Sequence, residues 1–290
     1  MIQDIAPRRL FNQYEPDRRP AGNSYLLLFS GRETLIRMDR EGKGDFLRFQ
    51  DLPAQLQDAY QSAVYLFRID EQDYFFLEEE KEPETWLRIL PEGCMFKKIK
   101  DLRFSGILEQ HQFFAIHTAR QLYSWYKDNR YCGTCGSLTI HSEKERARVC
   151  PACRRTIYPR IVPAVIIGIT NGDEILLTRY SDRVLPFDAL VAGFTEIGET
   201  LEQTVEREAM EETGLKVKNI RYYKSQPWGI DGNVLMGFYC DLDGDDTIHL
   251  DEKELALAEW HHRGALPAKD DGLTLTREMI RVFDEGNHPK

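Results

Sequence analysis

The sequence has no apolar run long enough to cross a membrane, and its first residues are too polar for a secretory signal peptide. It is also short of positive charge, because 38 lysines and arginines face 48 acidic residues and leave a net charge of −10. That balance argues against broad binding to nucleic acid or to an anionic membrane, although it leaves room for a local basic groove. We therefore expect a cytoplasmic protein. At 290 residues the chain has the length of two or three globular domains.

Cysteine is scarce as well, yet four of the six cysteines are grouped. Cys132 and Cys135 form one Cys-x2-Cys pair, and Cys150 and Cys153 form a second pair after 14 intervening residues. Two such pairs can present four thiolates to one ion, which predicts a tetrahedral Zn²⁺ site with one zinc per chain. Four protein ligands leave no open position, so this zinc should be structural. Two disulfides are the alternative, which a reducing compartment disfavours.

An acidic segment at 193–215, here called the box, is where the chemistry is expected. Thr200 and Gln203 have capping-box spacing, which marks the start of a helix, and Gly214 suits a left-handed residue at the end of that helix. A helical period places three apolar residues on one face of this helix: Leu201, Val205 and Ala209. The box is therefore predicted to be a tight loop followed by a short amphipathic helix.

Several glutamates of the box fall on the apolar side of the predicted helix. Glu208 and Glu212 point inward, and Glu211 lies close to the same side, whereas Glu202 and Glu206 face solvent. Buried carboxylates are costly, and the negative end of the helix dipole adds to that cost. A bound divalent cation compensates both, and several oxygen ligands suit Mg²⁺ or Mn²⁺ better than zinc.

The residue spacing of the box matches a long family signature without a gap. The matching residues are Gly193, Glu199, Arg207-Glu208-Ala209, Glu211-Glu212 and Gly214-Leu215. In these positions the chain resembles the Nudix hydrolases. The resemblance implies an α+β fold, the Nudix mixed-sheet sandwich, and metal-assisted hydrolysis of a nucleoside diphosphate linked to another group.

Composition and periodicity divide the chain into four predicted segments. Residues 1–105 should be a mainly β domain that begins with a loosely ordered arm over the first 20 residues, and 106–129 should be a connecting helix. The zinc ribbon should span 130–157 and the Nudix catalytic domain 158–290. Within the last segment, strands at 157–170 and 174–180 should form a hairpin through Asn171-Gly172, and a helix should close the chain.

Three further features resemble the NADH pyrophosphatase group, whose members also remove NAD caps from RNA. They are the Cys₄ ribbon before the box domain, the run Ser225-Gln226-Pro227-Trp228 and the additional N-terminal β domain. The resemblance covers residues 107–290 well and the N-terminal third only loosely. It implies hydrolysis of NAD(H) to NMN(H) and AMP, an NAD-capped RNA 5′ end as a further substrate, and a homodimer.

The loop after Trp228 departs from that group. The usual prolines are absent from 229–234, and two glycines predict a mobile loop where the family has a rigid one that contacts the dinucleotide. ADP-ribose or another nucleoside diphosphate derivative is therefore an alternative substrate. A nucleotide sensor without hydrolysis is the alternative from another class. Such sensors usually carry a helix-turn-helix DNA domain, and this sequence has none.

The family's metal ligands and catalytic glutamates carry over by matching position. Glu208 and Glu212 are implied metal ligands, together with the backbone carbonyl of Ala192 and with Glu254, a carboxylate outside the box. Glu211 is implied as a second ligand or the general base. The resemblance thus gives Glu208, Glu211 and Glu212 the catalytic roles.

Other matched positions are assigned to structure or to substrate. The structural residues of the box are Gly193, Glu199, Arg207 and Gly214, with an Arg207–Glu199 pair bracing the loop against the helix. The implied substrate contacts are Tyr158, Gln226, Pro227, Trp228 and Thr276. For Trp228 stacking on a base competes with core packing, and Tyr158 has the same two readings.

Overall fold

A computed structural model describes the chain except for residues 57, 79–82, 104, 182–188, 252 and 267–271. The chain forms two compact units. The box unit consists of residues 1–4, 161–228 and 232–290, and the ribbon unit of residues 5–160 and 229–231. No helix in the described part of the chain is both long and apolar enough to cross a membrane.

The box unit is built on one mixed sheet with two helices. Its strands are β13 (Val162–Asn171), β14 (Glu174–Tyr180), β15 (Val191–Phe194), β16 (Val217–Trp228), β17 (Asn233–Leu242) and β18 (Leu255–His262). Its helices are α5 (Leu201–Thr213) and α6 (Leu275–Asp284). The strand order is β16-β17-β13-β14-β18, and β15 pairs with β13. Only β13 and β17 pair in parallel among the described strands of this sheet.

The apolar residues of β13 explain why helices cover both faces of this sheet. Val165 and Ile167 pack in one cluster with Val205 of α5, while Ile166 packs in another with Met279 of α6. A strand that is buried on both faces reads as a continuous apolar run, which is what 164–169 shows. The predicted α+β sandwich is confirmed.

The ribbon unit holds two small sheets, a long helix and the zinc ribbon. Its strands are β1 (Leu10–Phe11), β2 (Tyr25–Leu27), β3 (Phe29–Ser30), β4 (Glu33–Met38), β5 (Gly44–Asp45), β6 (Leu47–Arg48), β7 (Ala63–Ile69), β8 (Gln72–Leu77), β9 (Cys94–Lys98), β10 (Ile140–His141), β11 (Arg148–Val149) and β12 (Thr156–Ile157). Its helices are α1 (Ala59–Ser62), α2 (Pro83–Ile89), α3 (Ile99–Leu102) and α4 (Gln110–Asp128), with 3₁₀ turns at Phe49–Asp51 and Ala54–Leu56.

Each sheet of this unit is small. One sheet has the order β1-β7-β8-β2-β6, and the other has the order β3-β4-β5 with β9 beside β4. Strands β10 to β12 form the ribbon's own three-stranded sheet. Helix α4 starts at a capping box between Glu109 and Gln112 and buries an aromatic stripe that includes Phe113, Tyr123 and Tyr126.

Three details differ from the sequence-based expectations. The arm is not loose at its start, because Ile2 is fully buried and its amide donates to the Leu273 carbonyl. The strand predicted from residue 157 begins at Val162. The hairpin turn lies one residue later than expected, at 172–173, where Gly172 takes a positive φ of 62°. The four-segment division itself stays a prediction.

Candidate functional site

Helix α5 begins and ends where the box predicts. The Thr200 hydroxyl accepts from the Gln203 amide at 3.2 Å, and the Gln203 side chain accepts from the Thr200 amide at 2.8 Å. This capping box satisfies two backbone donors that the first helical turn would leave free. At the other end Gly214 takes a left-handed φ of 72°. The helix is therefore anchored at both ends by local sequence.

Arg207 connects the loop of the box to the helix. Its guanidinium donates to both carboxylate oxygens of Glu199, at 2.6 and 3.0 Å, and to the Phe194 carbonyl at 2.8 Å. It also donates to Glu208 at 2.8 Å and to Glu211 at 2.9 Å. The planar fork of arginine suits such a multidentate role. The predicted Arg207–Glu199 brace is confirmed as a contact.

Glu199 is held by more than this arginine. Its carboxylate also accepts from the Thr204 hydroxyl and from the Glu196 amide, both at 3.0 Å. The hydrogen bond from Arg207 is the main cause that lowers the pKa of Glu199 to about 2. The carboxylate is therefore ionised at any physiological pH and fixes the shape of the loop.

Gly193 leaves room for the carboxylate of Glu208. A Cβ atom at position 193 would lie 1.9 Å from the Glu208 Cδ atom, which no side chain can tolerate. Glu208 itself is 8% exposed, and burial is the largest cause that raises its pKa. The glycine of the box thus serves a close approach between strand β15 and helix α5.

Glu212 carries the strongest electrostatic strain of the site. It is 2% exposed, and neither of its carboxylate oxygens is paired with a side chain among the described residues. Burial raises the pKa of Glu212 to about 8, and the charges of Glu208, Glu254 and Asp251 add to the shift. A buried and unpaired carboxylate is expensive, so its environment calls for a positive charge.

Five carboxylates surround a cavity of about 310 Å³ next to this residue. They are Glu208, Glu211, Glu212, Asp251 and Glu254. The structure thus brings the predicted Glu254 to the box, across some forty residues of sequence. Asp251 was missed by the sequence analysis, although it lies three residues before Glu254. Its backbone amide donates to the Glu212 carbonyl at 3.1 Å and ties this segment to the end of α5.

The predicted directions of the glutamates are mostly observed. Glu208 and Glu212 are buried, and Glu202 and Glu206 are exposed. Glu211 differs, because 60% of its side chain is exposed. It lies at the solvent edge of the cavity, where Arg207 can reach it. Ala192 lies in β15, and its carbonyl accepts a hydrogen bond of 3.4 Å from the Tyr180 hydroxyl.

The donor set of this cavity fits a hard divalent cation. All side-chain donors are carboxylate oxygens, which Mg²⁺ and Mn²⁺ prefer, and neither cysteine nor histidine lines the cavity. The orphaned carboxylate of Glu212 is the observation that a cation would explain. A solvated acidic patch would not bury its acid groups.

The four predicted zinc ligands come together in the ribbon unit. The sulfurs of Cys132, Cys135, Cys150 and Cys153 all lie within 4.8 Å of one another. Zn–S bonds of about 2.3 Å place tetrahedral sulfurs roughly 3.8 Å apart, close to the 3.5 and 3.6 Å of two of these pairs. None of the four forms a disulfide. The ribbon is thus a Zn²⁺ site.

The predicted substrate residues lie in varied environments. Pro227 is exposed, Trp228 is half-buried at the end of β16, and Thr276 is half-buried in the first turn of α6. Gln226 is fully buried, and its amide donates to the Leu273 carbonyl at 2.8 Å and accepts from the Leu275 amide at 2.9 Å. A substrate contact from Gln226 would therefore require these bonds to break.

Tyr158 and the divergent loop belong partly to the ribbon unit. Tyr158 is exposed, and its hydroxyl donates to Glu145 at 2.8 Å. Gly229 is buried so closely against α4 that an added Cβ would lie 2.0 Å from the His117 carbonyl oxygen. The first glycine of the loop is thus needed for packing, a role that differs from the mobility expected of it.

Comparison with protein families assigns both motif-bearing parts of the chain. Residues 159–283 match the NUDIX domain, and residues 127–158 match the NADH pyrophosphatase zinc ribbon domain. The NAD-capped RNA hydrolase NudC of Photorhabdus laumondii is 40% identical over 55% of this chain and 62% of its own length. The protein of the same name from Erwinia tasmaniensis is 42% identical over 55% of this chain and 61% of its own length. The chain thus covers less than two thirds of these relatives.

The NUDIX hydrolase from Nitrosomonas europaea aligns with a TM-score of 0.47 and 23% identity, over 55% of this chain and 92% of its own.

Proposed function

We propose that this chain, a NUDIX family member through residues 159–283 with an NADH pyrophosphatase zinc ribbon at 127–158, hydrolyses the pyrophosphate of NAD(H). The products are NMN(H) and AMP, and the NAD cap of an RNA 5′ end is cleaved at the same bond. The buried, unpaired carboxylate of Glu212 in a five-carboxylate cavity is the observation that carries this proposal. The relatives named NAD-capped RNA hydrolase support the choice of substrate.

Glu208 and Glu212 are the proposed ligands of a divalent cation, with Glu254, Glu211 and the carbonyl of Ala192 as further oxygen donors. A bound Mg²⁺ or Mn²⁺ would supply charge neutralisation of the pyrophosphate and an activated water. Without it the cavity would repel a pyrophosphate, because all five lining side chains are acidic. The protein therefore requires the cation in order to bind its substrate.

Glu211 is the proposed general base. Its exposure leaves its carboxylate open to solvent at the cavity edge, and the bond from Arg207 fixes its direction. A base in this position could take the proton of an attacking water as the phosphorus–oxygen bond forms. Arg207 and Glu199 are positioning residues, because they hold Glu208 and Glu211 without lining the cavity themselves.

Stacking by Trp228 and contacts from Tyr158, Pro227 and Thr276 stay proposals for substrate binding. The loop at 229–234 lacks the family prolines, which keeps ADP-ribose as the second candidate substrate. A sensor without hydrolysis is less well supported, because every carboxylate of the box is present.

Hydrolysis of NADH, NAD⁺, ADP-ribose and NAD-capped RNA, each with Mg²⁺ and with Mn²⁺, tests the reaction. The Glu212→Gln variant should lose about two to three orders of magnitude of activity. Glu206→Gln, on the exposed side of the same helix, should retain full activity. A higher kcat/KM for ADP-ribose than for NADH would identify ADP-ribose as the substrate instead of NAD(H). Binding without turnover under either metal would favour the sensor, and full activity of Glu212→Gln would remove the ligand assignment.

We also propose a homodimer in the cytoplasm. A reducing compartment would keep four thiols available for zinc. The dimer rests on the family resemblance, and a monomer in light scattering would contradict it.

A further inference from the structure

The ribbon segment, residues 127–160, is basic, whereas the chain as a whole is acidic. Residues 127–160 hold eight lysines and arginines and three acidic residues, a formal charge of +5, whereas the whole chain carries −10. The remaining residues therefore carry −15. Even with a tetrathiolate Zn²⁺ site, which adds two negative charges, the segment keeps a net charge of +3. Such a sign change within one chain indicates an anionic partner.

Two of the eight basic residues are used to hold the ribbon in its unit. Arg148 is 3% exposed and donates to the Thr139 carbonyl at 2.9 Å and to Glu78 at 2.7 Å. Burial opposes ionisation of Glu78, but the bonds from His141 and Arg148 outweigh it and lower its pKa. Arg146 donates to the Leu66 carbonyl at 2.6 Å.

Five others are free to meet a ligand. They are Arg130, Lys144, Arg154, Arg155 and Arg160. All are exposed, and none forms an ion pair with a carboxylate among the residues that the structure describes. Their charges are therefore not neutralised within the protein.

Arg130 lies at a groove of about 760 Å³ inside the ribbon unit. Arg19 also lines this groove; it is exposed and donates only to the Pro16 carbonyl in the described part of the chain. The lining also holds the half-buried Tyr14 and the side chain of Ile140, which is 53% exposed. Two carboxylates line it as well, Glu15 and Glu78, and each is paired with an arginine of the same unit. The groove therefore combines two cations that have no carboxylate partner with a half-buried aromatic ring and an exposed apolar side chain.

One polar atom of this groove lacks a partner. Tyr65 is 4% exposed, and its buried hydroxyl makes no hydrogen bond among the described residues. Buried hydroxyls are normally paired, so this one indicates a missing ligand group or water. The volume is in the range of small-molecule pockets, enough for a nucleotide but not for a folded partner.

We propose that this groove binds single-stranded RNA, with Arg19 and Arg130 on phosphates, the Tyr65 hydroxyl on a polar group of the strand, and Tyr14 and Ile140 against bases. Arginine pairs with phosphate bidentately, and aromatic faces stack on any base, so the site recognises a strand and not a sequence. The inference rests on the proposed function in one respect, because an enzyme acting on capped RNA needs a hold on the RNA body. Hydrolysis of a free dinucleotide does not require the groove.

A 3′-labelled, 5′-hydroxyl single-stranded RNA tests this site, since it has no cap to hydrolyse. The variant Arg19→Gln/Arg130→Gln should bind it about tenfold more weakly, and the slope of log K against log salt should shrink by about 1.4, for two phosphate contacts on a single strand. The matched control Arg40→Gln/Lys100→Gln removes two exposed charges of the same unit away from the groove. It should change neither quantity.

Equal affinities of the two double variants would overturn the proposal. Binding of duplex RNA or inorganic polyphosphate as tightly as the single strand would also overturn it, because Tyr14 and Ile140 would then contribute nothing. In hydrolysis, Arg19→Gln/Arg130→Gln should lower kcat/KM for NAD-capped RNA and leave that for NAD⁺ unchanged. Weakened RNA binding in a protein that hydrolyses neither compound would refute the proposed function and keep the RNA site.

Discussion

The chain contains two metal-type sites that are built in opposite ways. The ribbon collects four sulfurs from residues 132–153 within 4.8 Å of one another, so that every one can serve as a zinc ligand. The acidic cavity collects carboxylates from α5 and from Asp251 and Glu254, and leaves Glu212 buried without a partner. A closed ligand set stabilises the fold that supplies it, whereas an open and strained set is reserved for a substrate. The two sites should therefore respond oppositely when one ligand is removed.

The largest effect is expected from Cys150→Ser. The protein should lose its zinc, about one equivalent, and the ribbon should unfold, because structural zinc contributes roughly 10–16 kcal/mol to such domains. Metal analysis and limited proteolysis within 127–158 measure both. Cys94→Ser, a free cysteine outside the cluster, should keep the metal. If Cys150→Ser kept its zinc and an intact ribbon, the zinc site would not be a closed ligand set that stabilises the fold.

Glu212→Gln should act in the opposite direction on stability. Activity should fall two to three orders of magnitude, since a cation site supplies several kcal/mol and each 1.36 kcal/mol is about tenfold. Without divalent metal the variant should melt a few degrees higher than the parent, because it loses a buried, unpaired carboxylate. Calorimetry and initial rates measure the two effects. A variant less stable than the parent would show that Glu212 supports the fold.

Gly193→Ala should disturb the cavity through its contact with Glu208. The added Cβ meets the Glu208 carboxylate, so this side chain must move, and a displacement of about 1 Å can cost on the order of 100-fold in rate. Gly133→Ala is the control, because no atom lies within 4 Å of its Cβ position. Parental kcat/KM in Gly193→Ala would mean that the position of Glu208 is unimportant.

Glu199→Gln should have the smallest effect. Arg207 would lose its ionic partner and loosen its hold on Glu208 and Glu211, so kcat should fall roughly tenfold, as for other residues that orient metal ligands. The pH–rate profile should shift as well, since Arg207 also contacts Glu211. Glu202→Gln, exposed on α5 close to this loop, should leave rate and profile unchanged. If Glu199→Gln lowered the stability of the protein but left its kinetics normal, Glu199 would support the fold and would not position the catalytic residues.

Features of the two sites that depend on nearby residues could be predicted from the sequence. Cys132 to Cys153 and the turn from Thr200 to Gly214 are set by local spacing, so the ribbon, the capping box and the Arg207–Glu199 contact follow from the sequence. Helical periodicity also predicts the burial of Glu208 and Glu212. Glu211 lies at the border of the apolar face, where a few degrees of rotation about the helix axis decide whether a side chain is exposed. The sequence analysis placed this side chain closer to the buried side than the structure does.

Contacts between distant segments were harder to predict. Asp251 reaches the cavity only because β18 follows it and its amide binds the end of α5, which no local pattern reveals. Likewise Ile2 joins the core of the box unit, although its surroundings read as a polar arm. Gln226 is a third case. Family resemblance suggests that its side chain contacts the substrate, whereas in the fold both the nitrogen and the oxygen of its amide form hydrogen bonds with backbone groups.

Titration of the zinc-loaded protein with Mn²⁺, followed by electron paramagnetic resonance, tests the central claim most directly, because it reports the cation without any substrate. The parent and Glu206→Gln should bind Mn²⁺ alike, and Glu212→Gln should bind at least tenfold more weakly. Equal Mn²⁺ affinity in all three proteins would contradict the assignment of the acidic cavity as the cation site.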